Sequence, residues 1–121
     1  MLVERSNFSN TNGTAPAAGI DIEPDGAHYD LVNITIRDCL AVNNSGHGLQ
    51  SWMNSGNAMV VEVLVERYHV MGSGSKTGGG FVFGRLHPDA GGSIVIQDST
   101  ATDTSFDGTT TQHVRSPLDC R

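Results

Sequence analysis

Cysteine, aromatic residues, basic charge and long apolar runs are all scarce in this chain, and each scarcity removes a class of answer. Two cysteines in 121 residues cannot build the disulfide framework of a small secreted scaffold. Cys39 sits just after the inward Ile36 and is expected in or near the core as a small hydrophobe, while Cys120 lies too far along the chain to pair with it. Seven basic side chains against thirteen acidic ones give a formal charge of −6 with no basic stretch, so no nucleic-acid partner is expected. No apolar run approaches the roughly 18 residues of a membrane-crossing helix, and no basic-apolar-small succession marks a secretion signal; no membrane partner is expected. Helix patterning is also missing, because no window combines apolar residues at i, i+3, i+4 and i+7 with a cap and good helix formers. Without His-x-His or Glu-x-x-His spacing, a transition-metal site has no support.

What the chain does have is an element repeated roughly every thirty residues. Gly19-Ile20-Asp21-Ile22-Glu23 opens one copy, Gly48-Leu49-Gln50-Ser51-Trp52 the next, then Gly80-Phe81-Val82-Phe83-Gly84 and Gly108-Thr109-Thr110-Thr111-Gln112. A second run repeats in step: Asn33-Ile34-Thr35-Ile36-Arg37-Asp38, Glu62-Val63-Leu64-Val65-Glu66-Arg67 and Ser93-Ile94-Val95-Ile96-Gln97-Asp98, with Leu2-Val3-Glu4-Arg5 as the end of an earlier copy. Alternation with a period of two puts Ile34, Ile36, Val63, Val65, Ile94 and Ile96 on one face and sends Arg37, Glu66 and Gln97 to solvent. A third segment continues inward at Phe8, Ala41, Val70 and Ala101. Gly, Thr, Asn, Ser and Asp cluster between these runs, which is turn chemistry. Asn10, Asn43 and Asp103 fall at matching positions, where stacked side chains are expected to bond the backbone of neighbouring repeats. Such periodicity predicts an all-β solenoid rather than an antiparallel sandwich.

The segments Gly19–Pro24, Leu31–Cys39 and Asn43–Leu49 resemble the right-handed parallel β-helix proteins of the pectin-lyase-like superfamily, over about residues 2–115. The resemblance implies a right-handed parallel β-helix of about three full coils plus partial terminal coils, residues 1–121 forming one domain with an irregular tail at 116–121. Bare terminal coils would expose strand edges, so the chain is expected to be a fragment of a longer β-helix, or to stack end to end with another copy. The superfamily includes polysaccharide lyases, glycoside hydrolases, uronate epimerases, tailspikes and adhesins. Function must therefore be argued from the site.

On the first strand of each repeat, outward residues form two columns, Asp21-Gln50-Val82-Thr110 and Glu23-Trp52-Gly84-Gln112. Such a face is suited to a linear polysaccharide. Asp21 and Glu23, two residues apart on one strand face, can act as general acid or base or hold a Ca²⁺ ion. Gln50 and Trp52 offer an amide and a stacking ring to a sugar, although a lone tryptophan also packs commonly beneath a loop. Arg85 can neutralise a carboxylate of substrate or pair with Glu23, and His28 and His87 lie in loops on the same side. The Gly46-His47-Gly48 triplet matches polygalacturonase-type hydrolases, but their Asn-Thr-Asp, Asp-Asp and Arg-Ile-Lys segments are absent, so His47 is expected to be a turn residue bonding a neighbouring repeat. The epimerase-like Asp-Pro-His-Glu set is matched only by Asp21-Ile22-Glu23-Pro24, without its histidine. The expectation is a domain that binds or processes an extracellular polysaccharide. The alternatives are a non-catalytic adhesin- or tailspike-type solenoid and an inactive fragment.

Overall fold

The computed structural model describes residues 1–23, 30–52, 60–74, 79–84, 91–102, 104 and 110–111. Among them there are only strands: β1 Leu2–Glu4, β2 Asn7–Ser9, β3 Ile20–Ile22, β4 Leu31–Val42, β5 Leu49–Trp52, β6 Val60–Met71, β7 Phe81–Gly84, β8 Gly91–Gln97, β9 Thr100–Thr102 and β10 Thr110–Thr111. The chain is all-β, and no helix among the described residues is long and apolar enough to cross a membrane. One sheet has the order β1-β4-β6-β8, with β2 also pairing β4 and β9 also pairing β6; the other has the order β10-β7-β5-β3. Every pairing is parallel. Consecutive sequence repeats are thus neighbours in space, and the repeat length is the distance the chain travels before it pairs with itself.

From Ile34 onward the register follows the alternation; between Leu31 and Ile34 the pairing of β4 with β6 shifts by one residue. Val3, Ile36, Val65 and Ile96 face one another across β1, β4, β6 and β8; Phe8, Ala41, Val70 and Ala101 do so across β2, β4, β6 and β9. Ile20, Leu49 and Phe81 form a single file in the second sheet. All of these belong to one core cluster or pack against it. Phe beside Ala and Val beside Ala in one file lets large and small side chains share the interior without voids. The two sheets meet through Tyr68, whose ring packs edge-on against Phe81 with centroids 5.7 Å apart and whose hydroxyl donates to the Gly48 carbonyl at 2.8 Å. Burial pushes the Tyr68 phenol well above its ordinary pKa, so the hydroxyl remains a donor. Cys39 is a free thiol in the core, as its position just after the inward Ile36 implies; Cys120 lies outside the described residues.

The first sheet bends at one column. Arg5, Asp38, Arg67 and Asp98 all have positive φ, between 47° and 53°, and they follow the paired residues Glu4, Arg37, Glu66 and Gln97. A second turn follows the next strand run. Asn10 and Asn43 are left-handed there, and Gly72 takes the same conformation in the third repeat. Here the expected stacking of Asn10 and Asn43 is corrected by one residue. Those two side chains point outward and supply the left-handed backbone, a conformation asparagine tolerates. The buried ladder is Thr11-Asn44-Ser73. Asn44 is fully buried, donates from Nδ2 to the Phe8 carbonyl at 2.9 Å, and accepts at Oδ1 from the Thr11 amide, with the Thr11 hydroxyl proton shared in reach between that oxygen and the Ala17 carbonyl. Its own amide donates to Ser73 Oγ at 3.3 Å. Once a residue is left-handed, the next side chain turns inward, which decides which of two adjacent asparagines is buried. Asp103 lies outside the described residues.

Candidate functional site

The outward face of the second sheet holds the expected first column. Asp21 pairs with Gln50, Gln50 with Val82, and Val82 with Thr110. The alternation sends Leu49 and Ser51 into the core, where both are fully buried, and leaves Asp21 and Gln50 on the opposite face. Glu23 follows the end of β3 and shares that face with Asp21.

These three side chains meet at one nitrogen. Gln50 Nε2 donates to Asp21 Oδ1 and to Glu23 Oε1, each at 3.3 Å. The two carboxylate oxygens are therefore no further apart than twice that distance. An amide NH₂ has two protons, and here each carboxylate receives one. Gln50 is only 9% exposed, less than the open face expected from the sequence. It sits on a strand flanked on both sides, and the two carboxylates close over its end. Asp21 is itself exposed, yet its carboxyl is held above the usual carboxylate range. Partial withdrawal from water is the larger cause and the negative charge of Glu23 the second; the Gln50 amide works against both. The site keeps two like charges together on one neutral donor, an arrangement that costs stability when both are ionised.

The other expected site residues divide as follows. Trp52 is paired through its backbone with Gly84, one residue beyond Ser51, as the second column requires; its side chain is outside the described set. Arg85, His28 and His87 lie outside the described residues, as does Gln112. Among the described residues, no three His, Cys, Asp or Glu side chains converge as metal ligands; the candidate Ca²⁺ ligands Asp21 and Glu23 are brought together with an amide donor rather than a third acid. His47 is half-buried, and burial lowers its pKa. Its Nδ1 accepts the Gly79 amide at 3.0 Å, so the neutral ring carries its proton on Nε2. This is the turn role read from the sequence. Ser51, expected only as part of the repeat, is a polar side chain in the core between Ile22 and Phe83; its hydroxyl has no hydrogen-bond partner among the described residues.

A second polar array lies at the bend of the first sheet, and reading the columns one at a time missed it. Successive repeats carry Glu4-Arg5, Arg37-Asp38, Glu66-Arg67 and Gln97-Asp98 in register, so charge alternates along the Arg5-Asp38-Arg67-Asp98 column and, as far as the neutral Gln97, along the other. Arg37 bonds Glu4 of the preceding repeat at 2.7 Å. Arg67 makes a two-pronged contact with Asp38 of the preceding repeat and pairs with Glu66 of its own at 3.1 Å. Gln97 donates to Glu66 at 3.2 Å. Arg37, then Arg5, holds the Glu4 carboxyl below its ordinary pKa, and Arg67 does the same for Asp38. The signal was present in the sequence as the alternating order of the acid-base dipeptides. Glu66 is accordingly only 15% exposed at its side chain, covered by these partners rather than open to solvent.

No protein-family model, curated protein or solved structure matches this chain.

Proposed function

We propose that this chain is a segment of a right-handed parallel β-helix of the pectin-lyase-like type, and that its second sheet binds an extracellular polysaccharide on the face carrying Asp21, Gln50 and Glu23. In-register parallel pairing at a spacing near thirty residues, with left-handed residues at recurring bends, supports the β-helix reading. The observation that carries the binding reading is the shared Gln50 amide between two carboxylates. A sheet gains nothing from two adjacent acids on one donor, whereas sugar hydroxyls are donors that such a pair accepts. Sugar hydroxyls can take over the Gln50 protons' place without adding charge. An acidic glycan would meet repulsion from a chain of net charge −6 unless Ca²⁺ bridged the two.

Asp21 is also pushed toward the protonated form. That favours a catalytic version in which Asp21 is the general acid beside the Glu23 carboxylate.

Binding to a panel of neutral and acidic polysaccharides, with and without Ca²⁺, tests the proposal. Asp21→Asn and Glu23→Gln should each weaken binding about tenfold or more, with reducing-end and unsaturated-product assays separating cleavage from binding. Because the folded pKa of Asp21 is raised, its ionisation opposes folding as pH rises through that pKa. Asp21→Asn should therefore be more heat-stable than the natural chain at neutral pH, with the difference disappearing as pH falls through the carboxylate range. A gain in stability together with a loss of binding is the signature of a site kept for function. Absence of binding to every glycan would leave the adhesin- or tailspike-type structural reading in its place.

A further inference from the structure

His47 is fastened to the repeat on either side of it. Its carbonyl accepts the Gly19 amide of the preceding repeat at 2.9 Å, and its ring Nδ1 accepts the Gly79 amide of the following one at 3.0 Å. A backbone ladder runs alongside. Ile20 donates to the Gly48 carbonyl, Gly48 to that of Gly79 and Leu49 to that of Gly80, at 3.1, 3.0 and 3.1 Å. Those three bonds run forward from one repeat to the next. The Gly79 amide points back instead, and the imidazole is what receives it.

An imidazole can do this in one charge state only. The neutral ring with its proton on Nε2 has a lone pair at Nδ1, whereas the imidazolium has a donor at both nitrogens and no acceptor. Protonation therefore sets N–H against N–H at Gly79. The ring is half-buried, and burial holds its pKa below the ordinary value. Among the described residues, the segments packed around it bring no compensating charge. Residues 10–19 of the preceding repeat, whose Ala17 carbonyl accepts the Gly46 amide at 2.9 Å, carry no titratable side chain. Nor do residues 79–84 of the following repeat or, besides His47, residues 44–52. On β6 the Tyr68 hydroxyl bonds the Gly48 carbonyl, and its raised pKa keeps it neutral in acid. Asp21 and Glu23 bond Gln50, three residues on; Lys76 lies outside the described residues. His69 is exposed on β6, and its Nδ1 meets the Thr100 hydroxyl at 2.9 Å. Either charge state keeps that contact, because a hydroxyl both donates and accepts.

We propose that His47 is an acid-sensitive latch between repeats. Neutral, it holds the Gly79 amide and fixes the start of β5 against the start of β7. Protonated, it releases Gly79, and that end of the second sheet opens. Gln50 lies on the same strand, so acid loosens the support of the Asp21–Gln50 pairing without touching either side chain. The sign follows from the lowered folded pKa. The latch contributes stability that is present above the unfolded histidine value of about 6.5 and is lost as pH falls from there to the folded value. Asp21, whose pKa is raised, acts in the opposite sense over its own range.

Amide exchange followed by NMR from about pH 8 to about pH 5, beside the titration of the His47 ring, tests this on the natural chain. The Gly79 protection factor is its exchange rate relative to an unfolded amide at the same pH. It should fall roughly tenfold or more with the midpoint of the His47 ring. Protection of the Asn43 amide, which bonds the Met71 carbonyl in the other sheet, should stay level. His47→Asn puts an uncharged oxygen in the place of Nδ1 and should keep Gly79 protected, with the pH dependence gone. His47→Leu removes the acceptor and should leave Gly79 as open at neutral pH as it is in acid in the natural chain. His69→Asn should leave the acid-induced loss in place. The proposal is overturned if Gly79 protection is level through the His47 titration, if the loss survives in His47→Asn, or if it disappears in His69→Asn. Should a variant misfold, the titration of the natural chain decides alone. None of these outcomes depends on glycan binding.

Discussion

Replacing Asn44 with alanine is expected to cost about 3 kcal/mol of stability, a large share of what a domain of this size has. The side chain is fully buried and holds two repeats together. Its Nδ2 satisfies the Phe8 carbonyl and its Oδ1 satisfies the Thr11 amide. Alanine leaves both backbone groups without a partner in a place water does not easily reach, and each such group costs roughly 1–3 kcal/mol. The Thr11 hydroxyl is less affected, because its one proton has the Ala17 carbonyl as an alternative acceptor. In urea, the midpoint should fall with the slope unchanged. Asn43→Gly is the control. Asn43 is exposed with φ near 54°, a backbone glycine accepts freely, so its effect should stay within about 1 kcal/mol. Equal losses at the two positions would contradict the assignment of the ladder to Asn44.

Gly48→Ala should be about as damaging, for a steric reason. A Cβ at Gly48 would lie 2.3 and 2.5 Å from the two γ-carbons of Val70 and 2.9 Å from its Cβ. Val70 is fully buried in the Phe8-Ala41-Val70-Ala101 file and has no room to withdraw. Overpacking of this kind costs typically 1–3 kcal/mol and occasionally more, and here the displaced backbone would also strain the Tyr68 hydrogen bond to the Gly48 carbonyl. Gly48 is not among the glycines with positive φ, so alanine meets no conformational objection and the clash is the whole penalty. Trimming the partner should then restore the fold. The double variant Gly48→Ala, Val70→Ala should be more stable than the sum of the single losses by more than about 1 kcal/mol, the coupling expected of residues in contact. Additive losses would mean that Gly48 is needed for something other than space.

The fold was legible in the sequence wherever a binary rule applied. Alternation is two-valued, so equivalent Ile, Val and Leu residues recurring in phase were enough to place Ile36, Val65 and Ile96 in one file and Ile20, Leu49 and Phe81 in another. The outward column of Asp21 and Gln50 followed from the same rule. Its geometry did not, because the closure of two carboxylates over one amide depends on rotamers and on how far Glu23 reaches past the strand end. Which of Asn43 and Asn44 is buried depended on the sign of one φ angle, a quantity that residue type alone does not fix. The glycine columns were legible as positions but not as causes; Gly48 reads as turn chemistry, whereas it serves close approach of the two sheets. The charge alternation at the bend was printed in the dipeptides, yet it has meaning only after the repeats are laid side by side.

The central claim is that each repeat pairs with the next in parallel and in register, and through-hydrogen-bond couplings in NMR measure that directly. The Ile20 amide donates to the Gly48 carbonyl and the Leu49 amide to that of Gly80, both at 3.1 Å. Couplings linking Ile20 nitrogen to Gly48 carbonyl carbon and Leu49 nitrogen to Gly80 carbonyl carbon are therefore expected in the same spectrum. Couplings from these amides to any other carbonyls, as antiparallel or shifted strands would give, would contradict the account.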